Sequence, residues 1–277
     1  MRSGETCVRR KRLHILNRKR RSSMSFRMNS PQGKAILALI RQGDYAHPGE
    51  EEAVEAVASG LSRSSIGRIL DVGCGRGGTA GWFHRHGWGE VVGIDRDADS
   101  IDYAKKTYPH VRFHACDVAE LGRLSLPAFD LAYLFSSLYA FADQQAALGA
   151  IRDACREGAH LVIFDYTQPA GGRLPATLGT EIGRPIVMER LMDWMQAEAW
   201  QPISVTDMTG RFVSWYDAML RKVEKNRQAI LETAGEDWYD FVASWYGALR
   251  DALAGRHVGG SVIHATAFPR SASDIQA

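Results

Sequence analysis

Residues 68–79 read Arg68-Ile69-Leu70-Asp71-Val72-Gly73-Cys74-Gly75-Arg76-Gly77-Gly78-Thr79. Ile69, Leu70 and Val72 supply a short apolar strand, Asp71 sits near its end, and Gly73, Gly75, Gly77 and Gly78 follow at once. Thr79 and Ala80 open a helical run. A strand that turns tightly into a helix leaves backbone N–H groups unpaired at the helix N-terminus. Glycine lets a ligand approach them without meeting a Cβ. The stretch therefore reads as a nucleotide-type pocket at the C-terminal end of a parallel strand.

The same pattern continues outward. Strands are expected at 68–72, 91–95, 111–115, 131–135 and 161–165, with helices near 79–86, 98–107 and 144–157 between them. A further helix over 186–197 precedes a strand at 203–207, and a last strand covers 262–268. Such alternation calls for an α/β fold with a doubly wound, mostly parallel, seven-stranded sheet. Between the last two strands about fifty residues read as helix. They hold eight of the 26 aromatics: Phe212, Trp215, Tyr216, Trp238, Tyr239, Phe241, Trp245 and Tyr246. A hairpin would suffice there, so the helices read as an insertion hanging over the strand C-termini, where a ligand binds in this kind of sheet. Upstream, Glu50, Glu51 and Glu52 open a helix with charges suited to its N-terminal dipole.

The expected division is a basic tail at 1–23, N-terminal helices with a lid loop at 24–65, a ligand-binding core at 66–210, a helical cap at 211–258, and the last core strand with a tail at 259–277.

Two fingerprints fit the glycine loop. Gly73, Gly75 and Gly78 satisfy the G-x-G-x-x-G of a dinucleotide-binding turn. Asp71, Gly73, Gly75 and Gly77 satisfy D-x-G-x-G-x-G. The strand 91–95 ends in Asp95, which accepts from a ribose diol under either reading. Two further acids tip the balance. Asp71 stands two positions before the first glycine, where dinucleotide-binding strands carry an apolar residue. The stretch Phe113-His114-Ala115-Cys116-Asp117-Val118 is a third strand ending in an acid. With these acids in order, residues 66–166 resemble class I S-adenosylmethionine-dependent methyltransferases.

That resemblance implies S-adenosyl-L-methionine as cofactor and a role for each matching residue. Gly73 and Gly75 let the backbone approach the methionine part, and Cys74 contributes its backbone. Asp71 organises the turn. Asp95 accepts from the ribose, with Arg96 as a candidate flank for the adenine. Asp117 accepts from the adenine amine, with the Val118 N–H beside it. Phe135 and Ser136, just after the fourth strand, are expected near the transferring methyl. Tyr139 in the same segment joins Ser136 as a catalytic candidate. The loop Gly43-Asp44-Tyr45-Ala46-His47-Pro48-Gly49 is similar to a lid loop of small-molecule methyltransferases, which makes Tyr45 and His47 lid and catalytic candidates.

The segment Phe135–Phe141 carries no Asn/Asp-Pro-Pro-Tyr motif, no Pro-Cys nucleophile and no paired-glutamate loop. These absences point to a small, diffusible acceptor. The C-terminal half loosely resembles the cap of glycine/sarcosine, dimethylglycine and phosphoethanolamine N-methyltransferases, which makes an amine the leading acceptor. O- or C-methylation and cofactor binding without turnover stay open. Aromatic rings suit an acceptor that becomes cationic. Trp238/Trp245 and Tyr239/Tyr246, seven apart, fit either a cage or core packing. His264 and Arg221 are candidate contacts for an acidic group on the acceptor.

Charge and cysteine usage bound the setting. Residues 1–23 hold nine Lys/Arg and one acid, a net +8, which leaves −6 for the rest of a chain whose total is +2. Such a block stays disordered. It reads as a dispensable extension, with a nucleic-acid arm or a transit peptide as alternatives, and Met24 is a candidate start. The acidic remainder disfavours a nucleic-acid partner. Four unpaired cysteines without metal spacing fit a reduced cytoplasmic protein without metal, and no apolar run has membrane-span length. Monomer and homodimer both fit.

Overall fold

A computed structural model of the chain describes residues 26–41, 43–178 and 182–269. The basic tail 1–23 and the last residues, 270–277, lie outside the described set. The elements run α1 (Pro31–Arg41), α2 (Glu50–Ala58), β1 (Arg68–Val72), α3 (Gly78–Arg85), β2 (Glu90–Asp95), α4 (Ala98–Thr107), β3 (Arg112–Ala115), β4 (Phe129–Phe135), α5 (Gln144–Ala154) and β5 (Cys155–Gln168). They continue through β6 (Ile186–Val187), α6 (Met188–Ala197), β7 (Trp200–Asp207), α7 (Thr209–Lys225), α8 (Arg227–Ala234), α9 (Glu236–Ala254) and β8 (Gly259–Ala267).

The strands form one sheet in the order β3-β2-β1-β4-β5-β8-β7. Neighbours from β3 to β5 pair in parallel, and β8 runs antiparallel to both β5 and β7. The expected seven strands form that path. A two-residue eighth, β6, is added where Ile186 and Val187 pair with Thr167 and Gln168. Strand order reverses between β1 and β4, which opens a crevice at their C-terminal ends.

Both faces of the sheet are covered, so its central strands are buried on both sides rather than alternating. Ile69, Leu131, Tyr133, Phe164 and Val262 pack with α1 to α4 and the cap. Leu70, Val92, Ala132, Leu134 and Ile163 pack with α5 and α6. Phe129 and Leu131 share parity yet face opposite layers, because the β4–β5 register slips between them. Helices α7 to α9 fill the connection from β7 to β8. Phe212 of α7 lies against Phe164 of β5, ring centroids 4.8 Å apart, so the cap sits over the strand ends.

Candidate cofactor and acceptor site

The glycine loop is held from both sides. The N–H groups of Gly73 and Cys74 donate to the Ile94 carbonyl at 2.8 and 3.0 Å, stitching the ends of β1 and β2. Gly73 has φ +78°, and a Cβ there would meet the Ser137 Cβ at 2.5 Å. Ser137 follows β4, and its hydroxyl donates to the Val72 carbonyl at 2.7 Å. Gly75 differs: φ is +51°, and nothing lies within 4 Å of where its Cβ would stand. That is an open cradle at the mouth of the crevice.

Asp95 braces this loop, its Oδ2 accepting from the Gly75 N–H and its Oδ1 from the Asp97 N–H, both at 2.9 Å. Asp97 pairs with Lys34 of α1, which also donates to the Ser100 hydroxyl at 2.7 Å. Asp117 is exposed beyond β3, with one oxygen accepting from the Ala119 N–H at 3.0 Å. Val118 beside it is half-buried, and Arg96 is exposed.

Two other loop residues are buried. The Cys74 thiol fills space beside Gly93, and burial pushes its pKa well up. Asp71 is pushed up to about 8, first by burial and then by the charge of Asp95, against the Tyr133 phenol and the Ala80 N–H. The open cradle with accepting acids at the ends of the adjacent strands β2 and β3 fits an extended adenosine-type cofactor.

The lid loop closes over the start of α3. A Cβ on Gly78 would meet the Asp44 carbonyl carbon at 2.7 Å, and one on Gly49 would meet the Trp215 ring at 2.6 Å. The lid therefore touches both the glycine loop and the cap. His47 is 1% exposed; its Nδ1 lies 3.1 Å from the Pro48 carbonyl and its Nε2 lies 3.0 Å from the Thr79 hydroxyl. A carbonyl only accepts, so Nδ1 carries the proton and Nε2 accepts from Thr79. Burial lowers the His47 pKa to about 3 and keeps the ring neutral. Tyr45 donates to Glu51 at 2.8 Å, and burial followed by Glu51 raises its pKa.

Phe135 lies against His47 at 4.7 Å and Phe164 at 5.1 Å between centroids. Ser136 adopts φ +50°, with its hydroxyl buried and without a hydrogen-bond partner. Its N–H donates to the Phe164 carbonyl at 2.7 Å. Tyr139 packs edge-on against Tyr166 at 5.3 Å. The Tyr166 and Tyr216 hydroxyls are hydrogen-bonded, and Tyr216 stacks on Tyr246 at 5.7 Å. Tyr45, His47, Phe135, Ser136 and Tyr139 thus converge on one end of the sheet with the glycine loop.

Other aromatic and polar candidates lie elsewhere. Trp238 packs on Phe26 and Phe241. Of the two spaced pairs, Tyr246 is the member that stacks on Tyr216. His264 faces Gly60, and Arg221 is exposed. Among the described residues no cluster of three or more His, Cys, Asp or Glu is placed to hold a metal ion.

Sequence reasoning missed Asp165, which is fully buried within β5, three residues before its end. It accepts from the Tyr166 N–H at 2.7 Å and the Tyr139 N–H at 3.2 Å, with Leu138 and Ser137 N–H groups contributing. Burial nonetheless pushes its pKa up to about 7. It braces the loop after β4, and its signal was available: an acid closing an apolar run, as in Asp95. Arg41 and the Thr79 hydroxyl were also missed, and nothing in their local sequence marks them; Tyr216 was marked only as one of the insertion's eight aromatics.

The fold and the crevice define the class of Rossmann-like methyltransferases. A methyltransferase-domain family profile matches residues 45–270, and the chain belongs to that family, whose cofactor is S-adenosyl-L-methionine. It is 26% identical to a phosphoethanolamine N-methyltransferase of Triticum aestivum over 211 residues, covering 71% of this chain and 40% of that protein. It is 27% identical to the O-methyltransferase cnsE of Penicillium expansum over 187 residues, covering 61% of this chain and 67% of that protein. The chain spans less than half the length of the phosphoethanolamine enzymes it matches. The fold resembles Haemonchus contortus phosphoethanolamine N-methyltransferase 2, solved with phosphomonomethylethanolamine and S-adenosylhomocysteine. The TM-score is 0.77 at 19% identity, with 90% of this chain and 61% of that chain covered.

Proposed function

We propose that this chain transfers a methyl group from S-adenosyl-L-methionine to a small-molecule acceptor, and that the acceptor is an amine. The observation that carries this reading is the wall of buried rings between the glycine loop and the cap: Phe135, Phe164, Phe212, Trp215 and Tyr216. Such a wall excludes water and stabilises a nitrogen that becomes cationic on methylation. The bound cofactor supplies an electrophilic methyl on a sulfonium, and in-line displacement asks chiefly for positioning. Asp95 and Asp117 would accept from the ribose and the adenine amine. The Ser136 hydroxyl, with no protein partner, is available to the acceptor. Tyr45 and His47 serve lid closure rather than proton transfer, since one hydroxyl is committed to Glu51 and the imidazole is neutral with Nε2 engaged.

The acidic body disfavours a nucleic-acid partner, and free Cys74, Cys116 and Cys155 fit the cytoplasm. Among the described residues no helix is long and apolar enough to cross a membrane. O-methylation is the second reading, supported by the similarity to cnsE.

The test is release of S-adenosylhomocysteine by the purified protein on glycine, sarcosine, dimethylglycine, phosphoethanolamine, phenols and carboxylic acids. Turnover on an amine is expected; turnover on phenols alone would replace the amine with an oxygen acceptor. Asp95→Ala and Asp117→Ala should each weaken S-adenosylhomocysteine binding by about 1–3 kcal/mol. Unchanged affinity in both would remove the pocket assignment.

A further inference from the structure

We propose that Arg41 is the anion-binding residue of the acceptor site, so that the small acceptor carries a carboxylate or phosphate held by the guanidinium beside the Tyr216 hydroxyl. This deepens the function proposed above and rests on it. Arg41 ends α1 and is 6% exposed. Its Nη1 donates to the Tyr45 and His47 carbonyls at 2.8 and 2.6 Å, and its Nε is buried without a hydrogen-bond partner. It takes part in none of the ion pairs among the described residues. The buried carboxylate of Asp165 is committed to backbone N–H groups, and Asp44 accepts from the Tyr108 hydroxyl through Oδ2 at 2.9 Å while its Oδ1 is buried without a partner.

The chain holds an internal control. Arg152 is equally buried, but its Nε, Nη1 and Nη2 each donate to a carbonyl, of Ala199, Cys155 and Phe268. Arg152 is thus a saturated structural arginine, and Arg41 is not. A guanidinium withdrawn from water is costly unless it meets an anion or a full set of acceptors. The helix C-terminal dipole offsets only part of that cost.

The surroundings locate the missing anion on the acceptor side. Arg41 interacts with the Tyr216 phenol, which is bonded to Tyr166 at the end of β5 beneath the cap. Tyr216 and the guanidinium together form a neutral and a charged donor suited to carboxylate or phosphate oxygens. The cofactor's own carboxylate has an alternative partner in the N–H groups opening α3.

The test uses the purified chain saturated with S-adenosylhomocysteine. Inorganic phosphate and acetate are titrated against chloride at equal ionic strength, with melting temperature as the readout. One of the two anions should raise the melting temperature beyond chloride, and which one does so tells phosphate from carboxylate. In Arg41→Met the rise should vanish, with S-adenosylhomocysteine kept saturating for each variant because Arg41 also anchors the lid carbonyls of Tyr45 and His47. If Arg41→Met does not fold, Arg41→Lys carries the test, expected to keep the response but to need about tenfold more anion. In turnover, phosphoethanolamine should outperform ethanolamine, or glycine outperform methylamine, by about tenfold or more, and Arg41→Met should erase the preference. No anion response in wild type, or a response surviving in Arg41→Met, overturns the proposal. Failure of wild type to bind S-adenosylhomocysteine at all would instead overturn the methyltransferase reading.

Discussion

Asp71 carries the clearest pH signature in the chain. Its pKa rises from the ordinary 3.8 to about 8 on folding, chiefly through burial. The folded state therefore favours the protonated acid. That stability is complete below the unfolded pKa and is lost as pH rises towards 8. In cofactor-free protein, Asp71→Asn should remove a slope of about 1.4 kcal/mol per pH unit between about pH 5 and 8. Urea unfolding of both proteins across that range measures it, and a slope unchanged by the substitution would make Asp71 an ordinary carboxylate, since His47 and Asp165 contribute equally to both. Gly75 gives a second, separable expectation. An added Cβ finds empty space but a φ of +51°. Gly75→Ala should cost about 1 kcal/mol of stability. It should lower S-adenosylhomocysteine affinity by about tenfold or more, because the methyl group fills the cradle. Calorimetric titration reads the affinity, and a variant that binds like wild type would show that the cofactor passes elsewhere.

At the scale of elements, the contact between lid and cap is apolar at its centre and charged at its rim. Trp215 of α7 covers Gly49, while Arg211 reaches Glu52 at 2.9 Å and Lys222 pairs with Glu50. The Arg211–Glu52 pair is exposed and holds little free energy. Arg211→Ala should therefore change stability by no more than about 1 kcal/mol, even counting its stacking on Trp215. Trp215→Ala should cost about 3–5 kcal/mol through the cavity it leaves. Denaturant melts of the two variants decide the order, and a reversal would mean that the rim charges hold the lid.

For the whole molecule, cofactor binding and folding are linked. Lid, glycine loop and cap meet at one end of the sheet, so a ligand bound there stabilises the assembled state alone. S-adenosylhomocysteine at about one hundred times its Kd should add about 2.7 kcal/mol, a rise of roughly 5–10 °C in Tm. A scanning melt checks this, and an unshifted transition would separate the site from the cooperative unit.

The sheet was legible because its signals are local. The run 68–79 places strand, turn and helix within a dozen residues, Asp95 ends a strand with a continuous buried core, and Asp117 follows the third strand by two residues. The insertion before β8 was legible from helical periodicity and length. The packing beneath the cap was not. Trp238 and Trp245 share a spacing with Tyr239 and Tyr246, yet only packing put Tyr246 against Tyr216 and turned Trp238 towards Phe26. Nothing in the local sequence marks Arg41, and it is buried because α1 folds under the cap. Local sequence determined the α/β core and its cofactor loop, since strand, turn and helix preferences act over a few residues. The tertiary structure decided which buried polar side chains gather beneath the cap, since Arg41, Asp165 and Tyr216 come from segments far apart in the chain and acquire their chemistry only when burial removes water from all of them together.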